Sequence, residues 1–172
     1  MTGLSDSFQR PINYLRISVT DRCNLRCFYC MPAQGVSLLP RKDVLSFEEV
    51  HTIVQAAAEL GISKVRLTGG EPLVRLGLPN LVGLLAGVKG IDDLSLTTNG
   101  LLLDRHAAEL RKAGLRRVNI SLDTMRPERF HRITRLGRPS TGSGHRLETV
   151  LEGIEAAREA GLTPIKINVV EL

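Results

Sequence analysis

Three times along the chain an apolar-periodic stretch ends in glycine, continues with leucine or isoleucine, and two residues later enters a β-rich run. The junctions are Leu60-Gly61-Ile62-Ser63-Lys64-Val65, Ala113-Gly114-Leu115-Arg116-Arg117-Val118 and Ala160-Gly161-Leu162-Thr163-Pro164-Ile165. A glycine just past a helix accepts the left-handed conformation that closes the last turn, so each is a helix-to-strand junction. The first helix also has a start signal, a capping box of Ser46 and Glu49, followed by the stripe Phe47, Val50, Ile53, Val54 and Ala57. Leu147, Val150, Leu151, Ile154 and Ala157 form the same stripe in the last helix. Strands are predicted at 14–19, 64–68, 93–97, 117–121 and 165–170. Strands alternating with helices mean parallel βα units with right-handed crossovers.

Composition narrows the class. With 172 residues, 42% hydrophobic and 24% charged, the chain reads as one globular α/β domain. Only 3% is aromatic and tryptophan is absent, so its core must be aliphatic. No apolar run approaches the roughly 18 to 20 residues of a membrane helix, and a cytoplasmic protein is expected. Three cysteines, all between Cys23 and Cys30, cannot make a disulfide framework and read better as ligands. Eighteen arginines against five lysines suit bidentate grip on phosphate or carboxylate, although an arginine-rich bias with solvated helix faces accounts for most of them.

The two ends of the predicted strands differ in chemistry. After the first strand come Thr20-Asp21-Arg22-Cys23-Asn24-Leu25-Arg26-Cys27-Phe28-Tyr29-Cys30; after the second, Gly69-Gly70-Glu71-Pro72; after the third, Thr98-Asn99-Gly100; after the fourth, Leu122-Asp123. All lie at strand C-termini, where parallel barrels and sheets build their sites. The opposite ends, at Gly61, Gly114 and Gly161, carry only turn residues. A flexible loop is expected at 137–144, where Gly142 and Gly144 imitate a dinucleotide fingerprint that no strand precedes. His106, His131 and His145 are expected on solvated surface, and Arg22, Arg26 and Arg75 near the mouth take no assigned role.

The cysteine spacing is C-x3-C-x2-C. A structural zinc needs a fourth ligand, and the nearest histidine, His51, falls within the capped helix. Closed ferredoxin clusters take four cysteines. Three thiolates for four irons leave one iron open, which suits a [4Fe-4S] cluster acting on a bound molecule; zinc with a distant ligand is the alternative.

These cysteines with Tyr29, followed by Gly69-Gly70-Glu71-Pro72, resemble the radical S-adenosylmethionine superfamily. More narrowly, the windows 14–24, 30–32, 66–73, 96–100 and 119–123 resemble the GTP 3′,8-cyclases of molybdenum-cofactor biosynthesis. The resemblance implies an incomplete parallel (β/α)6 partial TIM barrel with about five strands present. Residues 14–172 would be its core and 1–13 an extension.

It also implies cofactors, substrate and roles. A [4Fe-4S] cluster on Cys23, Cys27 and Cys30 would chelate S-adenosylmethionine and cleave it reductively. The resulting 5′-deoxyadenosyl radical would take hydrogen from the ribose C3′ of GTP, which then bonds to C8 of the guanine. Tyr29, Gly70 and Ser121 match cofactor contacts, the Gly69 and Gly70 backbone approaching the ligand closely; Arg16, Arg66, Thr97 and Lys166 match substrate contacts. No catalytic side chain is assigned. Two arginines pointing into a barrel demand an anion; were they outward, Leu15, Ile17, Val65 and Leu67 would point in instead. Implied partners are GTP and an external electron donor, with room for a homodimer and with neither membrane nor nucleic acid. A related radical enzyme acting on RNA or peptide is an alternative, although sparse aromatics disfavour base stacking. A non-catalytic iron–sulfur or partner-binding module is another.

The resemblance runs out after Val170: a methionine that contacts the cofactor, a sixth strand and a second three-cysteine cluster have no counterpart. The expectation is therefore an amino-terminal portion that assembles the first cluster without cyclising GTP, with an unpaired apolar edge at the last strand. The 138–145 loop reads as an insertion.

Overall fold

The computed structural model describes residues 3–136 and 147–171. The 137–144 loop with Gly142 and Gly144, the 138–145 insertion and His145 lie outside the described residues. Elements run β1 (Tyr14–Ser18), α1 (Phe47–Glu59), β2 (Lys64–Thr68), α2 (Leu78–Ala86), β3 (Asp93–Thr98), α3 (Leu103–Ala113), β4 (Arg117–Ser121), α4 (Pro127–Thr134), α5 (Leu147–Glu159) and β5 (Lys166–Asn168). Among the described residues the strands form one parallel sheet in sequence order, and it is not closed. Sequential order with crossovers of one hand puts the crossover helices on a single face.

The three glycine junctions have a common geometry. Gly61, Gly114 and Gly161 have φ of +97°, +110° and +76°, where a side chain is strained. The next residue donates its N–H five residues back: Ile62 to Ala57 at 3.0 Å, Leu115 to Leu110 at 2.9 Å, Leu162 to Ala157 at 2.9 Å. Ile62, Leu115 and Leu162 are buried, which explains why an aliphatic residue recurs there. The capping box forms as expected, Ser46 accepting from the Glu49 N–H and Glu49 from the Ser46 N–H.

Val65, Leu67, Leu94, Leu96, Val118 and Ile120 are completely or almost completely buried and join helix residues such as Val50, Leu81, Leu110 and Val150 in one core. Strand alternation therefore turns Arg16, Arg66, Thr97, Asn119 and Lys166 to the face away from the helices. The reading with Val65 and Leu67 in the barrel interior is corrected: they lie between sheet and helices.

The helical stripes need adjustment at their edges. Ile53 is 44% and Leu151 37% exposed, while Gly153 is buried. Helix neighbours run α1, α2, α3, α5, so α1 and α5 end the layer and each shows an apolar flank to solvent. The last strand is shorter than expected, but its line continues, with the Leu122 N–H donating to the Asn168 carbonyl at 3.0 Å. Two helices escaped the junction pattern, α2, which ends at Gly87, and α4.

Gly83 and Gly153 make a matched pair for testing this packing. A Cβ at Gly83 meets nothing within 4 Å, whereas one at Gly153 would lie 2.5 Å from the Gly100 carbonyl oxygen. Gly83→Ala is expected to stabilise by up to about 1 kcal/mol through helix propensity. Gly153→Ala should destabilise by about 1–3 kcal/mol through overpacking. Thermal denaturation of the two variants, with melting points moving in opposite directions, checks this.

Candidate functional site

The site is built where the first two strand-end loops cross. The Gly70 N–H donates to the Thr20 carbonyl at 2.7 Å and the Glu71 N–H to the Arg22 carbonyl at 2.7 Å. A Cβ on Gly69 would sit 2.4 Å from the Thr20 oxygen, and one on Gly70 2.3 Å from the Arg22 oxygen. The glycines are thus required by the approach of two backbones, a second reason for glycine here beside the expected approach of a ligand. Arg75 ties the same corner, donating to the carbonyls of Val19 and Leu45, both at 2.6 Å, with its guanidinium 4.4 Å from the Phe47 ring centroid.

The cysteine loop hangs between this corner and α4. The Arg26 N–H donates to the Thr134 carbonyl and the Phe28 N–H to the Ile133 carbonyl, each at 3.0 Å, so the C-terminal turn of α4 carries the loop. Arg26 returns its guanidinium to the carbonyls of Cys23 (2.8 Å) and Leu25 (2.9 Å). Cys23 and Cys27 are half-buried and Cys30 exposed. Burial first, then the neighbouring thiols, pushes Cys27 up to about 11; burial likewise raises Cys23, against the pull of the Leu25 N–H, 3.4 Å from its sulfur. Thiols that oppose one another's ionisation favour a cationic group that all three can ligate. Among the described residues no three His, Cys, Asp or Glu close on a single ion position. Three thiols on one loop, with the Leu25 N–H directed at the Cys23 sulfur, are a donor set of the kind that holds an iron–sulfur cluster.

Glu71 is 1% exposed and is the residue the sequence reading missed. Its Oε1 accepts from the Leu73 N–H at 3.0 Å and the Thr98 hydroxyl at 2.8 Å, its Oε2 from the Asn99 N–H at 2.7 Å. Burial pushes its pKa up, and these three donors pull the other way. Asn99 passes the connection on, donating from Nδ2 to Asn24 Oδ1 at 2.8 Å inside the cysteine loop. The Asn24 Nδ2 is buried without a partner among the described residues. The available signal was a charged residue amid glycines and a proline at a strand end.

Tyr29 and Ser121 do come together. With Cys27, Asn99 and Asp123 they line a small cavity of about 40 Å³ at the ends of β3 and β4. The Tyr29 hydroxyl donates to Asp123 Oδ2 at 2.7 Å, and the Val170 N–H donates to Asp123 Oδ1 at 2.9 Å. Burial, then the bonded carboxylate, raises the phenol pKa. Gly70 lies against the loop after β1, its N–H bonded to the Thr20 carbonyl.

Arg16 and Arg66 stand directly opposite each other in the β1–β2 register, and Thr97, Asn119 and Lys166 form a second line across β3, β4 and β5. Arg66 lies over the Tyr14 ring at 5.2 Å, with its Nε buried and unpartnered. Among the described residues neither Arg16 nor Arg66 has an acidic partner, whereas Arg117 pairs in a fork with Asp93. His106 and His131 are half-buried, not fully solvated, and His131 stacks edge-on to Phe130.

The loop crossing yields a direct test. Gly70→Ala should drive the Thr20–Cys23 backbone away and reduce iron and sulfide uptake on anaerobic reconstitution to below about half that of the unmodified chain. Its far-UV circular dichroism should be retained, since the helical core lies elsewhere.

A family model described as the radical SAM superfamily matches residues 17–170. Among curated proteins, the chain is 56% identical over 167 residues to a protein named GTP 3′,8-cyclase from Pelotomaculum thermopropionicum, covering 97% of this chain and 49% of that one. A protein of the same name from Heliobacterium modesticaldum is 56% identical over 165 residues, covering 96% and 48%. The chain thus spans about half the length of the curated relatives it matches. Among solved structures, Streptococcus suis SuiB bound to its precursor peptide superposes with a TM-score of 0.71 at 22% identity, covering 91% of this chain and 32% of that one. The hydrogenase maturase HydG gives 0.69 at 18%, covering 91% and 35%. These likenesses show that the sheet-and-helix arrangement is a fold these proteins share. The extent of the family match, together with a three-thiol loop seated on a Gly-Gly-Glu corner, places the chain in the radical S-adenosylmethionine superfamily.

Proposed function

We propose that the chain is the part of a GTP 3′,8-cyclase that binds S-adenosylmethionine and the nucleotide triphosphate, with residues 14–172 as its core and 1–13 as an extension, working in the cytoplasm. The observation that carries the reading is the pair Arg16 and Arg66, opposite each other on the face turned away from the helices and, among the described residues, without carboxylate partners. Like charges in register are unfavourable until an anion lies between them. A triphosphate supplies that charge, and an arginine fork fits its oxygens. Thr97 and Lys166 add a hydroxyl and an ammonium nearer the cysteine loop, so a bound nucleotide would lie with its phosphates on the arginines and its ribose toward the cofactor.

Cys23, Cys27 and Cys30 would hold a [4Fe-4S] cluster, which when bound supplies the electron for reductive cleavage of S-adenosylmethionine. Around it the chain's residues bind and orient. Gly70 offers backbone polar atoms, Tyr29 an aromatic face and Ser121 a hydroxyl, each at a strand C-terminus and on different loops. An external protein would deliver the electron.

Equilibrium dialysis of the anaerobically reconstituted chain against labelled GTP tests the proposal. Binding is expected to weaken about 10- to 100-fold in Arg16→Ala and in Arg66→Ala, the equivalent of about 1.5–3 kcal/mol for a charged hydrogen bond. Arg117→Ala should leave binding much less changed, because that side chain is already neutralised. Equal competition by RNA or an unrelated peptide would overturn the substrate assignment.

A further inference from the structure

Cys23 is bracketed by Glu71. The residue before it, Arg22, receives the Glu71 backbone N–H; the residue after it, Asn24, receives the Asn99 side chain, whose own backbone N–H is held by the Glu71 carboxylate. Residue 71 thus reaches both neighbours of one cysteine, Arg22 through its backbone and Asn24 through its carboxylate and Asn99, and joins the loops after β1, β2 and β3.

Burial opposes a charge on this carboxylate, and its hydrogen-bond partners support one. Oε2 meets a backbone N–H, and Oε1 meets a backbone N–H and the Thr98 hydroxyl, whose oxygen in turn accepts from the Gly100 N–H at 3.1 Å. Each of these partners donates to the carboxylate, and no carbonyl or carboxylate lies among them to accept a proton. Among the described residues Glu71 has no cationic partner, so the charge is not cancelled locally, and at 1% exposure it is poorly screened by water.

We propose that Glu71 is a fixed buried anion that both positions the Cys23 segment and lowers the reduction potential of the cluster those cysteines hold. An added electron is disfavoured beside an existing negative charge, and net charge and hydrogen bonding are among the determinants of iron–sulfur potentials. The electron needed for reductive cleavage must be strongly reducing, so the acid would serve the chemistry without touching the bound molecule. The inference rests on the cluster reading of the three cysteines. Glu71 is here a positioning residue.

The test compares two variants of the reconstituted chain in redox titrations followed by electron paramagnetic resonance. Glu71→Gln removes the charge; Thr98→Val removes one donor and keeps it. A midpoint shifted to more positive potential in Glu71→Gln, with a clearly smaller shift in Thr98→Val, is expected. Unchanged midpoints in Glu71→Gln at full iron content, or equal shifts in both variants, would overturn the proposal. If Glu71→Gln takes up no cluster, the carboxyl ¹³C resonance of Glu71 in the metal-free unmodified chain at pH 7 decides: an ionised shift supports the fixed charge, and a protonated one refutes it. Failure of the cluster reading is separately visible, as an unmodified chain that takes up no iron and sulfide, and it would remove the redox half of the proposal.

Discussion

The crossing of the Thr20–Arg22 and Gly69–Glu71 backbones is the contact on which the site depends. Two short hydrogen bonds and two absent Cβ atoms bring strand-end loops closer than side chains permit. Everything at the mouth is referenced to that seam. The cysteine loop starts from it, Arg75 closes it from behind, and Glu71 emerges from it into the protein with its carboxylate spread over the next loop. The other anchor of the cysteine loop is α4, so it is suspended between the first pair of strands and the helix after the fourth. A span of that kind needs all the intervening strands in register, which makes the site a property of the whole sheet.

Much of this was legible in the sequence because the signals were local. Gly61, Gly114 and Gly161 announce helix ends by a backbone conformation only glycine adopts cheaply, and the buried residue behind each confirms the turn. The cysteine spacing and the polar loops at strand ends are likewise short-range patterns. The features that escaped were decided across distance. Little adjacent to Glu71 says that its side chain turns inward, since two of its three donors, Thr98 and Asn99, come from the end of β3. Gly69 and Gly70 looked like room for a ligand, and only the fold reveals the opposing backbone. Ile53 and Leu151 fit the helical period, yet a period gives the direction of a face and not the width that neighbouring helices cover.

The positive charge of the helix-free face is also graded. Arg117 at its base is forked to Asp93, while Arg66 is steadied by the Tyr14 ring, which orients a guanidinium without neutralising it. Among the described residues, the cationic groups of that face without an acidic partner include Arg16 and Arg66 on the adjoining strands β1 and β2 and Lys166 on β5.

Strand alternation has a consequence for how such a chain can change over time. In β2, β3 and β4 the positions turned to the helices are buried and, apart from Thr98 at the end of β3, aliphatic, and those turned away are polar. Packing against the helices thus draws on one set of alternate residues and leaves the chemistry of the open face to the other, though the two sets are interleaved in sequence. Replacements on the polar set can change that face while leaving the aliphatic contacts intact. The sheet works as a backplane carrying two nearly independent instruction sets, one for packing and one for the chemistry of its open face.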